Sequence, residues 1–347
     1  MSIFFKIAVD FRNFLYNSKI KKSIYFRNVF VISIGNLSVG GTGKTPHTEY
    51  IIDFLKDKYK IAFLSRGYRR KTKNFHYIEQ KSTPEQVGDE PYQIYNKLGV
   101  TSAVCKDRIF AINKIIQDHS PQIIILDDAF QYKSLLPSVS ILLTQYDRPF
   151  FKDHFLPFGR LRDSKHEYTR ANIVIVTNCR ENIAPIEKEI WKANIELKPY
   201  QKLFFSAVEY EKIVNENQEI HCIYELKSFD LLLFTGIANP QYIVNYYKDK
   251  VKSLKTILFS DHKAYTLKDI ENIGTNFAAI KSENKIIVTT EKDYVKVKYL
   301  LLDFLKKHVY YQPIKINFLF NQKQELEETL LKRIENFYIN QKKNYIC

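Results

Sequence analysis

Short runs of apolar, β-branched residues alternate along the chain with stretches whose apolar positions recur at helical spacing. Val29–Ile34, Ile61–Ser65, Ser102–Cys105, Ile123–Asp127, Val139–Thr144 and Ile173–Thr177 predict strands, and the stretches near 46–57, 90–98 and 108–118 predict helices. Such alternation predicts a mostly parallel sheet covered by helices. Near 202–227 the rhythm breaks. Leu203–Tyr210 alternates like a strand and is followed by the polar patch Asn215-Glu216-Asn217-Gln218, so this stretch reads as an extended connector. A second series follows, with strands at Leu231–Phe234, Leu254–Phe259, Ile286–Thr290 and Tyr310–Ile316, and helices near 240–248, 266–280 and 324–338. The expected architecture is α/β, with two α/β/α sandwich domains joined by an extended β linker. Its expected boundaries are 1–24 for a terminal helix, 25–200, a linker at 201–227, and 228–347.

The terminal helix is amphipathic. Ile3, Phe4, Ile7, Ala8, Phe11, Phe14 and Leu15 fall on one side, while Lys6, Asp10, Asn13 and Asn17 fall on the other. Pattern leaves two readings open: an interfacial helix resting on an anionic membrane, or a helix packed on the protein's own core. Charge changes the picture here. The net formal charge is +15, of which +11 sits in the first 73 residues. Lys19, Lys21 and Lys22 follow the helix, and residues 60–73 hold Lys60, Arg66, Arg69, Arg70, Lys71 and Lys73 with no acid. An anionic partner is implied, and no helix-turn-helix, zinc-finger or RNA-binding signature makes it nucleic acid.

Composition excludes other classes. An apolar content of 45% with 24 Tyr and 25 Phe is ample for a core, so disorder is excluded. Cys105, Cys179, Cys222 and Cys347 are too dispersed for a zinc site or a disulfide framework, which fits a reducing cytosol. No apolar run approaches the roughly 18 residues of a spanning helix, and no signal-peptide pattern opens the chain. A soluble or surface-bound cytosolic protein is expected.

The richest chemistry lies at Ser38-Val39-Gly40-Gly41-Thr42-Gly43-Lys44-Thr45, after a strand and before a helix. This is nearly the G-x-x-x-x-G-K-[ST] phosphate loop, with Ser38 replacing the first glycine. Glycines let successive N–H groups face the phosphates, Lys44 reaches the β- and γ-phosphates, and the Thr45 hydroxyl is a Mg²⁺ ligand. The first domain is therefore expected to be P-loop NTPase-like. Ile123–Asp128 ends in two carboxylates, the form of a Walker B, and Asp127 or Asp128 holds the metal directly or through water. Guanine specificity is disfavoured, because Thr290-Glu291-Lys292-Asp293 lacks the Asn-Lys-x-Asp spacing.

Ile34-Gly35-Asn36-Leu37-Ser38 through Thr45-Pro46 resembles the loop of the tetraacyldisaccharide 4′-kinase (lipid A 4′-kinase) family of Gram-negative bacteria. Further motifs resembling that family run in order. They are Ser65-Arg66-Gly67-Tyr68, Val87–Pro91, Leu126–Gln131, Gly159–Asp163, Gly236–Pro240, Phe259–His262 and Thr289–Asp293, so the resemblance spans roughly 30–295. It implies transfer of the γ-phosphate of ATP to the 4′-hydroxyl of an acylated glucosamine disaccharide 1-phosphate. The implied product is lipid IVA, and the implied place is the cytoplasmic face of the inner membrane, held peripherally. By resemblance, Asp89 and His262 match the pair that activates the hydroxyl, and Glu90, Asp127 and Asp128 match acidic positions around Mg²⁺. Domain closure over ATP is expected to assemble that pair. Arg66, Arg160 and Arg162 are candidates for the substrate's 1-phosphate. The chain departs from the family pattern at Ala129, Tyr132 and Lys263, which replace a glycine and two histidines. Altered packing is expected there, with the chemistry kept. The rival class is a P-loop switch ATPase bound to a membrane or protein partner.

Overall fold

The computed structural model describes residues 2–217 and 220–344, with side chains from 5 to 217 and from 221 to 341. Gln218 and Cys347, and the side chains of Ile3 and Phe4, therefore lie outside the described residues. Strands β1 (Phe30–Asn36), β2 (Ile61–Ser65), β3 (His76–Tyr77), β4 (Thr101–Val104), β5 (Ile123–Asp127), β6 (Val139–Gln145), β7 (Ile173–Thr177) and β8 (Lys202–Tyr210) come first. Every residue of β1, β2, β5, β6 and β7 is buried, because near-continuous apolar runs need cover on both faces. Along β1, Phe30, Ile32 and Ile34 face Ile51, Ile52, Leu55 and Ile94 from helices Lys44–Lys56 and Asp89–Leu98. Val29 and Val31 belong to the opposite core, with Ala111, Ile112 and Ile115 of helix Arg108–His119.

A second sheet follows: β9 (Ile213–Asn215), β10 (Ile220–His221), β11 (Asp230–Thr235), β12 (Ser253–Leu258), β13 (Lys285–Thr290) and β14 (Val309–Gln312). Its order is β10-β9-β14-β13-β11-β12, with β12, β11, β13 and β14 parallel. Helices Gln241–Lys248 and Leu267–Ala278 supply Tyr247 to one core and Ile270, Ile273 and Phe277 to another. The final strand, β15 (Ile314–Phe318), returns to the first sheet, whose order is β15-β8-β7-β6-β1-β5-β2-β4-β3.

The α/β expectation therefore stands, while two expected boundaries are corrected. The chain divides into Met1–Val208 with Ile316–Cys347, and Glu209–Lys315. Residues 202–210 are no linker: β8 lies parallel to β7 with Leu203, Phe204, Phe205 and Ala207 buried. The segment expected to end a second domain instead completes the first. Leu326, Leu330 and Ile334 repeat every four residues, and they pack in the same core as Phe30 and Phe204. Gln322 fixes that return, accepting from the Phe205 N–H at 3.0 Å and donating to the Leu203 carbonyl at 3.0 Å. The single strand expected at Tyr310–Ile316 is two strands in different sheets, parted at Pro313, which has no N–H for a ladder.

The terminal helix spans Ser2–Asn17 and docks by a mixed side that carries Val9, Arg12, Asn13 and Tyr16, while Lys6, Asp10 and Asn17 are exposed. Asn13 donates to Asp163 at 2.9 Å, Arg12 pairs with Asp163 at 2.9 Å, and Tyr16 shares a 2.7 Å hydrogen bond with Ser134. The opposite, apolar side is left in solvent, with Ile7, Phe11 and Phe14 exposed by 57%, 62% and 59%. Packing of that face on the core is thereby excluded.

Leu330→Ala should destabilise the first unit by about 2–5 kcal/mol, the usual cost of truncating a fully buried leucine. Urea unfolding followed by Trp191 fluorescence measures it. An unchanged midpoint would contradict the placement of helix Gln322–Asn344 in this core.

Candidate active site

The loop after β1 is shaped by its glycines and by side chains that hold its carbonyls, and within it the Thr42 N–H donates to the Gly40 carbonyl at 2.9 Å. Gly40 and Gly43 take φ of 108° and 77°, a region that side chains disfavour. Gly43 opens helix Lys44–Lys56, whose N-terminus has no side-chain cap and so presents its positive end. Successive loop carbonyls are held from outside. Gln145 at the end of β6 donates to the Gly41 oxygen at 2.7 Å, and Thr177 at the end of β7 donates to the Thr42 oxygen at 3.0 Å. His47 Nδ1 meets the Gly43 oxygen at 2.7 Å, while its Nε2 meets the Ser206 hydroxyl at 2.9 Å. The first contact requires a proton on Nδ1, so Nε2 accepts from Ser206. Burial pushes the His47 imidazole down to about 4, against the backbone bond that favours its charge, so it stays neutral at ordinary pH.

Asn36, fully buried, joins this loop to the acidic strand end. Its Nδ2 donates to the Thr42 hydroxyl at 2.6 Å, and its Oδ1 accepts from Arg162. Arg162 also grips both oxygens of Asp128, and Lys44 stands 3.7 Å from the same carboxylate. Burial opposes ionisation of Asp128, but Lys44 and Arg162 outweigh it and hold the group well below the usual carboxylate range. Asp127 behaves in the opposite way. Burial, helped by Asp128 and Glu90, pushes its carboxyl up to about 7 despite Lys44 and Arg108. Its Oδ1 is buried without a hydrogen-bond partner. Pairing with Ile34 of β1 sets Asp127 beside the strand that feeds the phosphate loop.

Asp89 and Glu90 open helix Asp89–Leu98. That helix is tied to the loop's own helix through Glu49, which accepts from Gln93 at 2.7 Å and pairs with Lys97 at 2.9 Å. Gly67 permits the close approach of the turn after β2: a Cβ there would lie 2.7 Å from the Val87 carbonyl. Two of the predicted motifs thus meet at Val87 and Gly88, just before Asp89. Arg66 is exposed at the end of β2, and the Arg160 guanidinium lies against Gly40, 3.4 Å from where a Cβ would sit. Ser38 bridges to Leu161, and the Val39 N–H donates to the Arg160 carbonyl at 2.8 Å.

In the second unit, three other motifs gather at the carboxyl ends of β11, β12 and β13. Asp293 is fully buried and accepts from Thr235 at 2.8 Å, the Gly236 N–H at 2.9 Å and Thr290 at 2.8 Å. His262 takes φ of 56°, and its N–H donates to the Gly236 carbonyl at 3.2 Å and to Asp261 at 3.0 Å. Its Nε2 lies 3.8 Å from Asp261 Oδ2, and its Nδ1 lies 3.4 Å from Lys292 Nζ. An ammonium can only donate, so this arrangement places the ring proton on Nε2 and the lone pair on Nδ1.

The first unit thus brings together Ser38–Thr45, Asp89, Glu90, Asp127, Asp128, Arg160 and Arg162, while His262 belongs to the second. Sequence reading missed His47, Gln145 and Thr177. They are ordinary residue types: His47 lies in the helix that the loop opens, and only the sheet order carries Gln145 and Thr177 from their strand ends to the loop. It also missed Lys292, although the motif containing it was noted. Among the described residues no cluster of three or more His, Cys, Asp or Glu forms a metal cage.

A phosphate loop opening a helix, beside a buried Walker B strand in a parallel sheet, defines a P-loop nucleotide-binding protein of the α/β class. The chain belongs to the tetraacyldisaccharide-1-P 4′-kinase family, whose model it matches over residues 1–335. It is 41% identical over 339 residues to the tetraacyldisaccharide 4′-kinase of Bacteroides thetaiotaomicron, covering 93% of this chain and 89% of that one. To the Flavobacterium johnsoniae protein of the same name it is 38% identical, covering 96% and 95%. The crystal structure of LpxK from Aquifex aeolicus in complex with ATP is similar over 96% of this chain and 97% of that one, with TM-score 0.74 and 27% identity.

Asp127→Asn tests the raised carboxyl. Below about pH 4 the group is protonated in both folded and unfolded chains and costs nothing. Between pH 4 and about 7 the unfolded chain releases the proton first, and above 7 the whole penalty for burying the charge is present. The variant without nucleotide should therefore gain about 2–4 kcal/mol at pH 8, with the gain gone near pH 4. Thermal unfolding across that range measures it, and a pH-independent difference would contradict the assignment.

Proposed function

We propose that this chain transfers the γ-phosphate of ATP to the 4′-hydroxyl of an acylated glucosamine disaccharide 1-phosphate, working at an anionic membrane surface. The observation that carries the reading is the phosphate loop itself, with its carbonyls held outward and Lys44 at its end. The family membership supplies the acceptor and spans both units, which a simple nucleotide switch does not need.

Phosphoryl transfer asks the protein chiefly for positioning and charge stabilisation. Loop N–H groups and Lys44 bind the β- and γ-phosphates. Mg²⁺, when bound, neutralises charge on the phosphate oxygens. The buried, unpartnered Oδ1 of Asp127 fits such a cation, with the Thr45 hydroxyl as the second group to hold it. Glu90 and Asp128 make the surroundings acidic, and Asp128 is itself kept in place by Arg162. Arg162 is thus a positioning residue in this reading, while Arg66 and Arg160 remain the candidates for the 1-phosphate.

The 4′-hydroxyl must lose a proton as its oxygen attacks. His262 is assigned as the acceptor and Asp89 as a carboxylate that serves it. The nitrogen that faces Lys292 is Nδ1, so in this reading Lys292 must leave it before the proton moves there. Incubation with ATP, Mg²⁺ and the acylated disaccharide 1-phosphate in detergent micelles should give a bis-phosphorylated lipid. His262→Ala and Asp89→Asn should each lower kcat by about 10²–10⁴, with ATP binding kept. Near-normal turnover would remove the pair from the mechanism, and brisk lipid-independent ATP hydrolysis without product would overturn the kinase reading.

The membrane surface is proposed from the terminal helix, whose apolar face points away from the protein and is followed by Lys19, Lys21 and Lys22. Among the described residues no helix is long and apolar enough to cross a membrane. The proposed place of action is the cytoplasmic face of the bacterial inner membrane, held peripherally by this helix. Deleting residues 2–24 should release the protein from anionic vesicles while sparing ATP binding. Unchanged vesicle affinity in a sedimentation assay would remove the helix from this role.

A further inference from the structure

Phe158 is exposed by 85%, yet it sits at the tip of a turn that is built rather than loose. The Leu156 N–H donates to the Leu161 carbonyl at 3.1 Å, the Gly159 N–H to the Phe155 carbonyl at 3.1 Å, and the Leu161 N–H to the His154 carbonyl at 2.8 Å. Asp153 completes the turn, accepting from the His154 N–H at 2.8 Å and from the Arg160 N–H at 3.1 Å. These bonds fix the backbone on both sides of Phe158 and hold its ring in water. A turn that needed only to reverse the chain would carry a polar residue there.

The turn is fastened to the terminal helix in two places. Phe155 at its base meets the Phe5 ring with centroids 6.2 Å apart. Asp163, just beyond the turn, is the carboxylate that Asn13 and Arg12 hold at 2.9 Å. The buried side of the helix is therefore the side that grips this segment, and the exposed stripe Ile7, Phe11 and Phe14 runs along its outer side. Lys152 and His154, both exposed, precede the turn in the chain, while Asp153 is consumed within it.

We propose that the Phe158 turn is a second membrane-inserting element, entering the same bilayer as the terminal helix. The occupant is an anionic lipid surface, because the exposed aromatic follows the exposed Lys152 and its segment is fastened to a helix with an exposed apolar stripe and a lysine-rich end. This rests on the reading of that helix as bilayer-bound. The turn also has a direct line to the chemistry. Its Arg160 carbonyl accepts from Val39, and its Arg160 guanidinium lies against Gly40, so the turn and the phosphate loop are joined directly.

Phe158→Trp and, separately, Phe11→Trp place a fluorescent reporter at each element, against the buried Trp191 as a constant background. With phosphatidylglycerol vesicles, both emissions should shift to the blue and both should be quenched by brominated acyl chains, while the full-length protein cosediments. Phe158→Asp should weaken vesicle partitioning by about tenfold, roughly the cost of withdrawing one buried aromatic from lipid. A response at Phe11→Trp with none at Phe158→Trp overturns the second element and leaves the helix reading intact. No cosedimentation and no response at either position overturns both. Unimpaired partitioning of Phe158→Asp also overturns the proposal, and would make the exposed ring a contact for a protein partner.

Discussion

The active site depends on where the carbonyl oxygens of the phosphate loop are sent. A peptide unit that turns its N–H toward an anion must turn its carbonyl away, and in a flexible loop either orientation is accessible. Here Gly41, Thr42 and Gly43 each have their oxygen taken by a side chain from outside the loop. Each such bond contributes on the order of 1 kcal/mol, so together they fix the loop's shape before any nucleotide arrives, with the Thr42 N–H closed on the Gly40 carbonyl at 2.9 Å. The three donors are available only because β6, β7 and β8 lie side by side next to β1. Gln145 ends β6, Thr177 ends β7, and Ser206 of β8 fixes the ring of His47. Sheet order is thus converted into loop geometry.

The same economy governs the two neighbouring aspartates. Asp127 is the last residue of a fully buried strand, whereas Asp128 adopts a left-handed conformation with φ of 49°. That single backbone change sends adjacent carboxylates to different environments. Asp128 meets Lys44 and Arg162 and stays charged, and Asp127 is left in the interior with one oxygen unpartnered. An orphaned buried oxygen is costly in an empty site and useful in one that receives a cation. Arg162 links this pair through Asn36 to Thr42, so the acidic end of β5 and the phosphate loop are held as one unit.

Much of this was legible in the sequence, for a physical reason. Phosphate loops, Walker B strands and helix starts are set by residues close together in the chain, so spacing reveals them. Gln145 and Thr177 act on the loop from 104 and 135 residues away, and Ser206 fixes His47 from 159, so these contacts carry no local signature. The topology was hidden in a related way. Leu203–Tyr210 and the stripe Leu326, Leu330 and Ile334 announce a strand and a helix, but apolar periodicity does not say which sheet will receive them. Insertion of Glu209–Lys315 between the two passages of the first unit therefore could not be read from pattern. The terminal helix shows a third limit. Its apolar face was evident, but whether that face turns inward was decided by Asp163, a buried carboxylate that needs the partners Asn13 and Arg12 provide.

The second unit shows how one motif can divide its labour. In Thr289–Asp293 the aspartate is the residue that looks most like chemistry, yet its environment argues otherwise. Asp293 is fully buried. Burial opposes its charge, but Lys296 and the N–H of Gly236, with Thr235 besides, hold the carboxyl below its ordinary range. A carboxylate so surrounded by donors is a poor base and has no room for a ligand. Its work is to clamp the turn after β11 to the start of the helix after β13. That clamp holds Gly236, whose carbonyl receives the His262 N–H, and it anchors the helix that presents Lys292 to the imidazole. The partly exposed members of this cluster are His262 and Lys292, and the buried aspartate is the framework that sets the distance between them.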